Sequence, residues 1–285
     1  MRGGRARPIW VVLVGPYALY LLVLLIMPFV NVALFSIHTY SPTKIILPDL
    51  TFDNYRKIFD PYYLRLFGRT LRLGLVTTII CALLGYPLAY FLARARPRVL
   101  ALCLFLLIMP LMVSAVIRIF GWIVILGRKG LINEMMTGLG LGPVKLLYNE
   151  TAVVIGLVNI FMPFMVLPLM ASIERIPRSL EEAAQNLDAN WYQMFLRTIL
   201  PLSVPGLISG CLLVYSVSIS AFVTPALMGS SRERLAGQQI YDEVLVSFNW
   251  PSASSLALTL VVLTLVLLFW ALFATRRTSR LERRR

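Results

Sequence analysis

The chain has 285 residues, of which 59% are hydrophobic and 14% charged, against roughly a quarter charged in an ordinary soluble domain. The net charge is +14, and no polar stretch is long enough to bury a core of its own. A soluble enzyme is excluded, and the meaning of the basic excess depends on where it lies.

Crossing a hydrocarbon core of about 30 Å takes about 20 apolar residues as helix. Six runs meet that length: 9–35, 70–93, 100–126, 151–172, 204–228 and 252–274. They predict an all-α membrane protein with six transmembrane helices over 9–274. The first run follows Arg2, Arg5 and Arg7 but exceeds the roughly 7–15 residues of a signal-peptide apolar region, so it reads as an uncleaved span.

On one side of a six-span arrangement fall Arg2, Arg5, Arg7, Arg94, Arg96, Arg98, Arg175, Arg178, Arg197, Arg276, Arg277, Arg280, Arg283, Arg284 and Arg285, facing five acids: Glu174, Glu181, Glu182, Asp188 and Glu282. The other side balances Lys44, Arg56, Lys57, Arg65, Arg128, Lys129, Lys145, Arg232 and Arg234 with nearly as many acids. Basic residues accumulate on cytoplasmic loops. Residues 1–8 and the basic tail 275–285 are therefore expected in the cytoplasm, and outer loops at 37–69, 127–150 and 229–251. The charge points to topology and contact with anionic lipid, and not to nucleic acid.

In the first outer loop, Ser41–Lys44 reads as a turn and a short helix is expected near Thr51. Its aromatics Tyr55, Phe59, Tyr62, Tyr63 and Phe67 suit either an interfacial belt or a lid. The glycine-rich second loop is expected to hold a short helix over Asn133 to Gly138. Cys81, Cys103 and Cys211 lie inside apolar runs and read as small buried hydrophobes.

Arg118 lies within the third run, and an ionisable group at membrane depth is a functional-site candidate because burying it is costly. Trp122 follows on the same helix face. Either the two line a substrate path, or Arg118 bonds the carbonyls of a broken helix or reaches the outer interface. Asn159, Tyr215, Ser216, Ser220 and Thr224 are the other polar candidates for a path, with helix-to-helix hydrogen bonding as the alternative. Trp122, Phe164, Tyr215 and Phe222 could hold a cation over their rings, or simply pack.

Between the fourth and fifth runs lies a polar segment, 173–203, on the arginine-rich side. Ser179 precedes Glu182 by three residues, the spacing of a capping box, which predicts a helix starting there. A second helix is expected from Trp191 to Leu200, stopping at Pro201. Helices held outside the bilayer in this way offer a docking surface.

The run Glu182-Ala183-Ala184, then Asp188, then Leu200-Pro201 resembles the E-A-A loop of ATP-binding-cassette (ABC) importer membrane subunits, usually written E-A-A, three residues, G, nine residues, I, one residue, L-P. Asp188 stands where that pattern has glycine and Thr198 where it has isoleucine. Asp enters left-handed conformations more readily than most residues, so the turn is expected to survive. The segments G-Y-P-L-A-Y-F-L-A-R from Gly85 and M-P-L-M-V-S-A-V-I-R-I-F-G-W from Met109 are similar to spermidine/putrescine-type permeases in particular.

The resemblance implies the type I ABC importer permease fold in a bacterial inner membrane, carrying a polyamine or another small organic solute such as an amino-acid-like compound or a phosphonate. It implies that Ser179, Leu180, Glu182, Ala183, Ala184, Leu187, Asp188, Leu200 and Pro201 form the coupling loop against a dimer of ATP-binding subunits. A second homologous permease and a periplasmic solute-binding protein are the other implied partners. The chain has no G-x-x-x-x-G-K-[ST], so it lacks the usual phosphate cradle; ATP and Mg would be bound by the partner, with no catalytic residue, metal or cofactor here. No carboxylate lies within the apolar runs, and His38 sits at the end of the first. An ion-coupled transporter and a membrane hydrolase are thereby disfavoured, and a cationic substrate rests on the resemblance alone.

Overall fold

The computed structural model describes residues 9–230 and 234–282. The expectations for residues 1–8, for Arg232 and for Arg283, Arg284 and Arg285 lie outside the described residues. The chain divides into two compact units, one of residues up to Asp60 with Ile240–Leu263, the other of Pro61–Gln239 with the residues from Thr264 onward.

In the first unit, α1 (Ile9–Ser36) leads into a hairpin of β1 (His38–Ser41) and β2 (Ile45–Leu50). The turn between the strands is the one expected at Ser41–Lys44. Thr51 then accepts the Asp53 N–H through its hydroxyl at 3.1 Å, starting α2 (Asp53–Ile58). Asn54, buried, donates to the carbonyls of Ser36 and His38 at 3.0 and 2.9 Å, and Tyr55 meets the Ser36 hydroxyl at 2.8 Å. These bonds satisfy polar groups left over where α1 ends. Tyr40 donates to the Ser247 carbonyl at 3.0 Å.

The second unit is built on three long helices that pack on one another: α3 (Pro61–Arg94), α7 (Glu150–Glu174) and α10 (Leu200–Ser220). Leu73, Cys81, Leu157, Met165 and Val214 are buried at one level of this core, and Tyr86, Leu92, Val166, Leu169 and Ile173 at another. Small residues let the backbones approach, as is usual between membrane helices. Arg69 and Arg72 both pair with Glu150 at the start of α7. Cys81 is fully buried, with Cys103 and Cys211 partly so, and all three are free thiols.

Among the described residues, five helices are long and apolar enough to cross a membrane, and a sixth crossing exists only as a bent pair. That pair corrects the unbroken third run. α4 (Pro97–Met112) and the stretch that begins with α5 (Ala115–Leu126) meet at 101°, with Val113 and Ser114 extended between them. Pro110 brings no N–H to the last turn of α4, which weakens the helix where it ends. The fifth run is also interrupted. α10 stops at Ser220, Ala221 is extended, and α11 (Val223–Met228) resumes; Pro225 cannot donate to the Ala221 carbonyl four residues back.

The remaining helices are α6 (Leu131–Gly138), α8 (Arg178–Asn186), α9 (Trp191–Met194), α12 (Ala236–Leu245) and α13 (Trp250–Glu282). α6 is the short helix expected in the second outer loop. α13 continues beyond the sixth apolar run into the basic tail.

Candidate functional site

The segment between α7 and α10 folds into two short helices, but their starts and stops differ from expectation. α8 begins one residue before Ser179. Its N-cap is Pro177, and no side chain caps it. Ser179 therefore lies inside the first turn and the Ser179/Glu182 box does not form. Proline's fixed φ near −65° is already suited to a helix entrance, so Pro177 takes the position. The capping box forms one helix later: Asn190 Oδ1 accepts the Gln193 N–H at 2.8 Å, and Gln193 Oε1 accepts the Asn190 N–H at 3.3 Å.

The helix opened by this box does not stop at Pro201. Residues Trp191–Ser220 run as one helix, with a π-helical segment over Phe195–Ile199. There the Leu200 N–H bonds the Phe195 carbonyl, five residues back. Proline in a regular helix clashes with the carbonyl four residues before it and leaves that group unbonded. A wider turn just upstream, as π-bulges provide, lets the helix pass through Pro201.

α8 ends on Asp188 at φ +56°. Asp188 N–H donates to Gln185 at 3.0 Å and Ala189 N–H to Ala184 at 3.1 Å, the two bonds of a Schellman cap. Asp188 thus adopts the left-handed turn that glycine takes most easily.

Along α8, Ala184 packs toward a small cluster of Ile176, Met194 and Ile199. Leu180, Glu182, Ala183 and Leu187 face outward, Leu187 being 83% exposed. Glu182 makes no hydrogen bond or ion pair among the described residues. The carboxylate that is engaged is its neighbour. Glu181 Oε1 accepts from Arg94 Nε at 2.8 Å and from Arg94 Nη2, and Glu181 Oε2 accepts the Tyr90 hydroxyl at 3.0 Å. Arg94 Nη2 also donates to the Ile176 carbonyl at 3.0 Å. Sequence reasoning counted Arg94 and Glu181 only as topology charges. Tyr90 and Arg94 stand at i, i+4 on α3, and Glu181 at i, i+3 from Ala184 on α8, so facing sides were in principle readable.

Behind these helices, Tyr86 of α3 and Ser203 of α10 meet at 2.5 Å in the buried core. Ser203 spends its proton on the Leu200 carbonyl, so Tyr86 is the donor between them. Tyr86, Tyr90, Trp191 and Phe195 line a cavity of about 580 Å³. Trp191 stacks on Phe195 at 5.3 Å, and Phe195 meets Tyr86 edge-on at 5.0 Å.

The candidate path residues are not gathered in one place. Trp122 and Asn159 line a cavity of about 440 Å³ together with Pro110. Arg118 does not line it; its Nη1 donates to the Pro110 carbonyl across the 101° bend. This is the broken-helix geometry that stood as the alternative to a path role. Arg118 Nε is buried and finds no partner among the described residues. Tyr215 packs over Gly74 of α3, and the methyl of Thr224 against Gly156 of α7. Ser216 and Ser220 bond carbonyls of their own helix, at 2.7 and 3.1 Å.

Three comparisons identify the class. The family model of the binding-protein-dependent transport system inner membrane component matches residues 74–280. The chain is 38% identical over 252 residues to the spermidine/putrescine transport system permease protein PotB of Haemophilus influenzae, covering 88% of each. It is 39% identical over 239 residues to the Escherichia coli protein of that name, covering 82% of this chain and 87% of that one. Among solved structures, a bacterial ABC transporter importing alginate superposes with a TM-score of 0.77 at 20% identity, covering 94% of this chain and 95% of that one. A second structure of an alginate transporter contains a pentasaccharide-bound periplasmic protein and gives a TM-score of 0.78 at 19% identity, covering 95% and 94% of the two chains. These structural likenesses carry the fold.

The chain belongs to the binding-protein-dependent transport system inner membrane component family. It is a multi-pass inner-membrane permease subunit of an ABC importer, and a transporter component in place of an enzyme.

Proposed function

We propose that this permease carries a polyamine such as spermidine or putrescine inward, driven by ATP hydrolysis in a separate dimer of ATP-binding subunits. The observation that carries the substrate reading is the 38% identity to a spermidine/putrescine permease across 88% of both chains. In this reading a second homologous permease completes a pseudo-two-fold heterodimer and a periplasmic solute-binding protein delivers the polyamine to the outer loops. Both termini and the 173–203 segment then lie in the cytoplasm, consistent with the arginine distribution.

α8 is the docking element for the ATP-binding subunit. Its outward face presents Leu180, Glu182, Ala183 and Leu187, with no partner for the Glu182 carboxylate among the described residues. The small Ala183 allows close approach, and the leucines supply apolar contact. Leu200 and Pro201, inside the continuous helix behind α9, carry the displacement into the bundle. Trp122 and Asn159 border the solute route; Arg118 shapes that border by fixing the bend.

The substrate test is to purify the complex and measure which solute, on its binding protein, stimulates ATP hydrolysis. Stimulation by spermidine or putrescine is expected, and a silent response to both sinks the substrate assignment. For the docking face, Glu182→Lys with Ala183→Trp should leave the protein in the membrane but uncouple uptake from hydrolysis. Uptake at the wild-type rate in that double variant would remove α8 from the mechanism.

A further inference from the structure

The two adjacent carboxylates of α8 are placed for different tasks. Glu182 points outward, whereas Glu181 turns inward to the end of α3, where it and Arg94 have side chains only 13% and 15% exposed. Its oxygens take Arg94 Nε and Nη2 and the Tyr90 hydroxyl. The same guanidinium reaches Ile176 O at 3.0 Å, in the short link that joins α7 to α8. From the other direction, Arg178 at the first turn of α8 donates to the Arg94 carbonyl at 3.4 Å.

This arrangement crosses the link about which α8 could swing. The link 175–177 is three residues long, and on its far side α8 packs through Ala184 on a cluster of only three buried residues. A charge pair withdrawn from water and shared among several donors holds its geometry far better than an exposed pair. Arg94 grips both the link and the helix, so α8 is fastened to α3 as well as to the chain it grows from.

We propose that Arg94, Tyr90 and Glu181 form a strut that makes α8 move as one body with α3, so that they are positioning residues for transport. The proposal rests on α8 being the docking helix. With the strut cut, the ATP-binding subunit still seats on the outward face of α8 and still hydrolyses ATP. The stroke is then lost in the 175–177 link instead of reaching the spans, and the quantity that changes is solute moved per ATP.

The test uses the whole complex in proteoliposomes, measuring uptake and ATP hydrolysis together. Glu181→Ala and Arg94→Glu should each lower solute per ATP by about tenfold, within the usual range of coupling between sites, with the complex still assembled. Tyr90→Phe, which removes one hydroxyl, should lower it about two- to threefold and guards against misfolding of the charge variants. The swap Arg94→Glu with Glu181→Arg should recover much of the loss, and recovery of solute per ATP with assembly unchanged throughout ties the effect to the ion pair. Unchanged solute per ATP in the single variants, or a swap no better than the worse single, overturns the strut. A photo-crosslinking residue at position 183 separates the two readings. If it captures the ATP-binding subunit while the ratio stays unchanged, the strut alone fails; if it never captures that subunit, the docking reading and the strut fall together.

Discussion

Gly206 of α10 stands so close to Ser172 of α7 that a β-carbon on Gly206 would lie 2.3 Å from the Ser172 Cβ and 2.8 Å from the Pro168 carbonyl. Neither obstacle is the end of a flexible side chain, so the helices themselves would have to part. Overpacking of this kind costs about 1–3 kcal/mol. Gly206→Val should lower the thermal midpoint of the detergent-solubilised protein and reduce uptake with it. Gly121, with open space around its missing Cβ, is the control: Gly121→Ala should hold or raise the midpoint.

Asp188 occupies φ +56° at the end of α8. A left-handed conformation costs an L-residue roughly 1–2 kcal/mol, less for Asp than for most. Asp188→Gly should therefore be neutral or stabilising, and Asp188→Val should lower the thermal midpoint by about 2–4 °C, the shift expected per kcal/mol at this size. A midpoint that falls with glycine and is unaffected by valine would contradict the left-handed cap.

The Tyr86–Ser203 bond is directional, and that makes its two deletions unequal. Tyr86→Phe leaves Ser203 still bonded to Leu200 and should cost about 0.5–1.5 kcal/mol. Ser203→Ala strands the buried Tyr86 hydroxyl without its acceptor, at about 1–3 kcal/mol. Equal losses in denaturant or thermal unfolding would mean the donor assignment is wrong.

Arg118 holds the Pro110 carbonyl across the bend between α4 and α5. Arg118→Met should destabilise by about 1 kcal/mol, towards the low end of the cost of leaving an acceptor unmet because the Pro110 carbonyl is only partly buried, while the ATP-binding subunit still assembles. Arg118→Lys should recover part of the stability, because one donor suffices for one carbonyl. If stability is unchanged in Arg118→Met but the range of transported solutes alters, Arg118 belongs to the route and not to the bend.

The spans were readable because bilayer thickness imposes a length on every crossing: 70–93 appears in α3, which starts nine residues earlier and ends one later, and 151–172 in α7 with one residue added before it and two after. The bends were not. Whether a chain breaks at Val113 or passes unbroken through Pro201 depends on which nearby group takes over an orphaned carbonyl. Pro110 finds Arg118 and the helix breaks, while before Pro201 the turn widens to i→i+5 and the helix survives. The capping box was expected at Ser179/Glu182 and occurs at Asn190/Gln193, because Pro177 had already set the entrance of α8. Asp188, by contrast, takes the left-handed turn its chemistry permits. Of two neighbouring glutamates, the motif drew notice to the exposed one, and only the facing α3 shows what the other holds.

The π segment before Pro201 has one further consequence. Because the turn widens there, Trp191 and Ser220 are the two ends of a single rod of about 45 Å, at 1.5 Å of rise for each of its 30 residues. A rod has no elbow in which to lose a push. If α8 is the docking helix as proposed, force applied beside Trp191 would be carried along this helix to Ala221, where the backbone leaves it, so the place where the subunit yields would lie far from where it is driven.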